Sequence, residues 1–217
     1  MSRFKIENQL KKLKKGYENV KAGDRNIKSD VVANCMMSGI ALFNLKHESL
    51  LQFEKSSIEP AKKHNLETLY HINQVVSDTY FREVLDEVDP KDVRPGFKML
   101  FRELQEGKRL KEYAYYNGYY LLSVDGSGYF SSHTINCSNC CEKHHRNGKV
   151  TYHHNILGAS IVHPEKKAVI PVCPEPIQKQ DGDTKNDCEI NAGVRLFENY
   201  RRDHPHLKTI VVQDALY

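Results

Sequence analysis

Along the first hundred residues, apolar positions recur three and four apart. Between Asp30 and Leu45 they are Val31, Val32, Cys35, Met36, Gly39, Ile40, Leu42 and Phe43, the spacing of a buried helix face. Leu50–Glu54 prolongs or follows this helix, and Asn65–Gln74 predicts a further short one. Ser77-Asp78-Thr79 offers an N-cap ahead of Tyr80, Phe81, Val84 and Leu85. Asp89-Pro90 ends that helix and opens another through Phe97, Leu100, Phe101 and Leu104. Short helices joined by tight turns are compatible with a helix-turn-helix reader of DNA; a plain small helical core is the other reading.

The period changes near Lys111. Tyr119–Asp125 alternates and is rich in aromatic and branched residues, which predicts a strand broken by Gly126 and Gly128. Tyr152–His163 predicts a second strand, with a turn at Asn147-Gly148 just before it. A turn at residues 163–167 leads to a third strand, Ala168–Val172, and Pro171, Pro174 and Pro176 mark its exit. Asp187–Arg202 predicts a helix with Ile190, Val194, Phe197 and Tyr200 on one face, stopped at His204-Pro205. Lys208–Gln213 is mostly apolar, which predicts a fourth strand in a central position. The first three strands, joined by turns, are expected to be antiparallel. The fold class expected is mixed α/β: a helical region over residues 1–110, then a sheet domain over 111–217.

Composition narrows the class. Hydrophobic residues are 39% and charged residues 28% of 217, with a mean hydropathy of −0.64, values of a polar globular chain. The uncharged run Val31–Leu45 is too short and too polar to span a bilayer. The basic start has no apolar segment behind it, so no secretory signal is expected, and a cytoplasmic, nucleoid-associated protein is. In that compartment the six cysteines stay reduced. Net charge is only +4, but it is uneven: residues 1–28 hold nine basic residues against three acidic ones. A basic arm favours a polyanion, because phosphate contacts release counterions; a solvated helix face is the plainer alternative. The arm residues Lys11, Lys12, Lys14, Lys15 and Arg25 are the candidate DNA contacts, and Lys185 further along is another.

Two carboxylates stand out by position. Asp125 ends the first predicted strand and Asp214 the fourth. If those strands are neighbours, both carboxylates meet at one end of the sheet. There they could hold Mg²⁺ or Mn²⁺, which prefer hard oxygen ligands. Ordinary turn chemistry also places Asp after a strand. A second constellation is Cys137-Ser138-Asn139-Cys140, followed by histidines. Two thiolates in one tight turn plus two imidazoles complete a zinc tetrahedron, with Cys137, Cys140, His144 and His153 as the candidate ligands. Adjacent His153 and His154 point to opposite faces of a strand, so at most one of them joins. A polar insertion that happens to carry cysteines is the alternative. Cys35, Cys173 and Cys188 read as packing residues.

The stretches Tyr119–Ser132, Tyr152–Pro164, Gln180–Ala192 and Val211–Tyr217, in that order, resemble the insertion-sequence DDE transposases. Ser49–Glu54 and Val76–Phe97 in the helical half resemble the same family. The resemblance implies an RNase H-like core, metal-dependent cleavage and strand transfer at the double-stranded DNA ends of a mobile element, and a homo-oligomer in the full-length family. It maps the first two catalytic carboxylates onto Asp125 and Asp214. The family's third, a later glutamate, has no counterpart before Tyr217; Glu189 is a candidate substitute that the resemblance does not place there, and with Asp187 it is equally accounted for by the favourable charge at a helix N-terminus. The expectation is therefore an inactive transposase fragment that lacks its third metal ligand. Two other classes remain open: a non-catalytic DNA-binding repressor, and a zinc-bearing interaction module.

Overall fold

The computed structural model of the chain describes residues 5–23, 27–179 and 188–214. They divide into two compact units, Met1–Glu103 and Leu104–Tyr217, each with its own interior. The boundary expected near residue 110 thus falls inside the second unit.

The first unit is helical: α1 (Ile6–Tyr17), α2 (Ser29–Asn44), α3 (Leu50–Ser57), α4 (Pro60–Thr68), α5 (Asp78–Leu85) and the start of α6 (Arg94–Glu106). Helix α2 is its axle. Val32, Cys35 and Met36 face one core with Val20, Ala22 and Val84; Met37 and Ala41 face another with Leu10, Leu13, Phe53 and Leu66. A helix apolar on more than one side is buried on more than one side, so α2 needs partners all round. Side-chain caps set the starts of two neighbours. The Ser49 hydroxyl accepts from the Gln52 amide at 3.2 Å, and the Ser77 hydroxyl from the Tyr80 amide at 3.3 Å. Helix α4 starts earlier than the apolar spacing predicts, because Pro60 sits in its first turn, and it ends before residues 69–77.

The second unit is a mixed α/β layer. Its sheet contains six strands among the described residues: β1 (Tyr120–Ser132), β2 (Cys141–His144), β3 (Val150–Val162), β4 (Ile170–Pro171), β5 (Glu175–Ile177) and β6 (Thr209–Val212). Strand β3 is the spine. It pairs antiparallel with β1 along one side and, along the other, with β2, β5 and β4 in turn. Strand β6 adds to the far side of β1 in parallel. The inward positions Leu122, Val124, Leu157, Ala159 and Ile161 are buried, with Leu122 opposite Ile161 and Val124 opposite Ala159. Helix α7 (Glu189–Asp203) packs on β3 and β5 and adds Ala192, Leu196 and Tyr200 to this interior.

Four expectations change here. Strand β1 does not break at Gly126 and Gly128; both stay paired to β3, and the register shifts only between Gly128 and Phe130. The long ladder offered by β3 outweighs the weak strand preference of glycine. The third strand is shorter than expected, β4 alone, and Pro176 lies inside a further strand, β5, rather than marking an exit. Helix α7 keeps Tyr200 of its expected face inward, but Ala192, Gly193 and Leu196 are buried where Ile190 and Val194 were expected. Gly193 makes ordinary van der Waals contact with Leu157, and Ile190 and Val194 stay 61% and 56% exposed. Strand β6 is not central: it is the outer strand among the described residues, and Ile210, Val211 and Val212 are exposed.

Candidate metal centres

The parallel ladder between β1 and β6 pairs Tyr120 with Thr209 and Ser123 with Val212. Continued by two residues, that register sets Asp125 level with Asp214 just past the end of β6. Both residues are exposed. Glu189, at the first turn of α7, brings a third carboxylate to this end of the sheet. A Cβ placed on Gly126 would stand 2.1 Å from its Oε1. Only a glycine beside Asp125 lets the glutamate lie so close to the strand. Asp125, Asp214 and Glu189 do not, however, close into a three-atom ligand group among the described residues.

Such a group exists further along the same strands. The loop between β1 and β2 starts with a Ser132 turn, in which the hydroxyl accepts from the amides of Thr134 and Ile135 at 3.1 and 2.9 Å. The chain then closes a tight turn, where the Cys140 amide donates to the Cys137 carbonyl at 3.2 Å and the Cys137 amide to Cys140 Sγ at 3.3 Å. The two Sγ atoms lie 3.7 Å apart. His154 reaches in from β3, with Nε2 at 3.2 Å from each sulfur. These three ligand atoms are close enough together to hold a metal ion. Burial pushes the His154 pKa down, and neighbouring His153 adds to this. The imidazole is thereby held neutral, the form that ligates. Burial also pushes the Cys140 thiol up, and a bound cation would reverse that by favouring the thiolate.

The ligand set differs from the expected one. His154 takes the place assigned to His153, which pairs across to Cys141 and Ser131 on the sheet. His144 turns away to Glu142, 3.1 Å from its Oε2. Alternation along β3 decides this: residues 150, 152 and 154 share the face that meets the cysteine turn. Sequence spacing also misses β2, which carries the turn's exit and holds Cys141 with its thiol toward the Ile177 carbonyl.

The basic residues scatter. Lys11 and Lys15 are exposed on α1. Lys12 is exposed but paired with Glu103. Lys14 is a correction: only 8% exposed, its ammonium donates to Asn34 Oδ1 and to the His71 carbonyl, so it does not face a phosphate. Arg25 and Lys185 lie outside the described residues. No helix among the described residues is long and apolar enough to cross a membrane.

No protein-family model matches the chain, and no curated protein or solved structure matches it.

Proposed function

We propose that this chain is transposase-like and carries, on an RNase H-like sheet, two of the three carboxylates with which insertion-sequence DDE transposases perform metal-dependent phosphodiester chemistry. Asp125 and Asp214 are the metal ligands, Mg²⁺ or Mn²⁺ the ion, and double-stranded DNA the substrate. The observation that supports it is the parallel β1–β6 pairing, whose register brings two carboxylates from distant parts of the chain level with each other. Hard oxygen ligands at one strand end suit such an ion. There it would polarise the scissile phosphate and lower the pKa of an attacking water or 3′-hydroxyl. Glu189 reaches Gly126, the neighbour of Asp125, and is the candidate surrogate for the family's third carboxylate. Lys11 and Lys15 remain as exposed phosphate contacts of the helical unit. The test is Mn²⁺ binding and nicking of element-end DNA by the purified chain. Bound Mn²⁺ that is lost in both Asp125→Asn and Asp214→Asn supports the reading, and equal Mn²⁺ binding by all three chains sinks it.

Cys137, Cys140 and His154 form a separate centre, and zinc is the ion that fits it. A Zn–S distance of about 2.3 Å at the tetrahedral angle places two thiolates about 3.8 Å apart; the two sulfurs here are 3.7 Å apart. Two thiolates and one imidazole are soft and borderline ligands, which disfavour Mg²⁺. An ion held there would tie the loop after β1 to β3, and these three ligands leave its fourth tetrahedral position to another group.

A further inference from the structure

The end of the sheet beyond Asp125 has a composition that neither metal centre uses. Between Gly126 and Ile156 the only carboxylate is Glu142, against Lys143, Arg146 and Lys149, and five of the chain's 11 histidines lie in the same stretch. Glu142 is itself taken up by Lys179. The three basic side chains are exposed. This hairpin region is therefore a cationic surface within a chain of nearly balanced charge.

On that surface stands an exposed aromatic ring with a fixed orientation. Tyr129 is the extra residue where the β1–β3 register shifts between Gly128 and Phe130. Such bulges re-aim a side chain out of the strand's regular alternation. The residue is 63% exposed. Its ring stacks on His154, with ring centroids 5.9 Å apart and planes 18° from parallel. His154 is in turn held between the two thiols and Phe130, whose ring centroid is 5.7 Å away. A tyrosine backed in this way presents a flat face to solvent with little rotamer freedom left to lose. It lies on the same strand as Asp125, four residues on, or about 13 Å at the usual strand rise.

We propose that Tyr129 is a base-stacking residue. Its outer face takes an unpaired nucleobase, while Arg146 and Lys149 of the β2–β3 turn attract the phosphates of that strand. Aromatic platforms within a cationic groove are how single strands are bound without regard to sequence. This rests on the nucleic-acid reading above and extends it: the strand held near Asp125 is unpaired at this point.

The test is fluorescence anisotropy of a labelled twelve-nucleotide oligothymidine with the full chain, in EDTA-free buffer without added Mg²⁺ or Mn²⁺. The same measurement is made on an oligouridine and on a duplex. Tyr129→Ala is expected to weaken single-strand binding about tenfold, Tyr129→Phe to leave it near wild type, and duplex binding to change less than twofold. Equal affinities of wild type and Tyr129→Ala for single strands overturn the proposal, and so does an equal loss on duplex. So does a failure of the wild-type chain to bind any of the three. A preference between the DNA and RNA oligomers identifies which strand is held. Because no cleavage is read, Tyr129-dependent binding in a chain that neither binds Mn²⁺ nor nicks DNA would uphold this proposal and fail the catalytic one.

Discussion

The carboxylate of Glu189 lies against the α-carbon of Gly126, so close that a methyl group there would stand 2.1 Å from Oε1 and 2.6 Å from Cδ. Helix α7 and strand β1 thus meet at a point where only hydrogen fits. Gly126→Ala must push the glutamate aside, and it is expected to cost about 1 kcal/mol of stability. In a Glu189→Ala background the clash is gone. There the same change should be neutral or slightly favourable, since alanine restricts the unfolded chain. A double-mutant cycle by urea denaturation reads the coupling. An identical cost in both backgrounds would mean that the contact does not limit this position.

The cysteine turn makes a sharper claim about two adjacent histidines. Metal analysis of the purified chain should find zinc near one equivalent in wild type, His153→Ala and His144→Ala. It should be lost from His154→Ala and from Cys137→Ser. Zinc that survives His154→Ala but leaves with His153→Ala would put the third ligand on the wrong face of β3.

Those outcomes mark how far a sequence can be read. The paired cysteines are legible because two residues between thiols bring both sulfurs to one turn, wherever the turn lies. The histidine is not. Choosing between neighbours on a strand requires knowing which face meets the loop, and strand pairing sets that. The parallel neighbour of β1 is legible in part: apolar Lys208–Gln213 reads as a strand, but its edge position depends on what else pairs. Helix α7 shows the same limit. Large apolar residues suggest the buried face, yet the helix buries Ala192, Gly193 and Leu196 together with Tyr200 and leaves Ile190 and Val194 outside. Lys14 lies amid lysines that do face solvent, and nothing local distinguishes it; only the approach of Asn34 and the His71 carbonyl does.

That buried ammonium carries a pH signature. Burial lowers the Lys14 pKa from its ordinary 10.5, so on raising the pH the folded chain sheds this proton before the unfolded chain does. The group's contribution to stability therefore rises with pH between the lowered value and 10.5. Asn34→Ala removes an acceptor from the charged form and should cost about 1–3 kcal/mol at neutral pH. The cost should shrink as the pH climbs through that window, because a neutral amine needs the acceptor less. Urea midpoints for wild type and Asn34→Ala at pH 7 and pH 10 check it. A difference that stays constant would mean that the amide acts through packing alone.

The carboxylates at the end of β1 and β6 lead to a prediction whose sign depends on the ion. The β1–β6 register continued two residues past Ser123 and Val212 sets Asp125 level with Asp214, and in EDTA like charges facing each other destabilise a sheet by about 0.2–1 kcal/mol. Asp125→Asn keeps the shape and removes one charge, so its thermal midpoint should rise by up to about 4 °C. With Mn²⁺ present the order should invert. An ion bound by the folded pair at a hundred times its dissociation constant adds about 2.7 kcal/mol, and the asparagine chain forgoes most of that. A purely structural aspartate would shift in one direction under both conditions. The inversion therefore separates a metal-binding pair from two acids that merely end adjacent strands, and it can be read by thermal denaturation alone, before any DNA substrate is known.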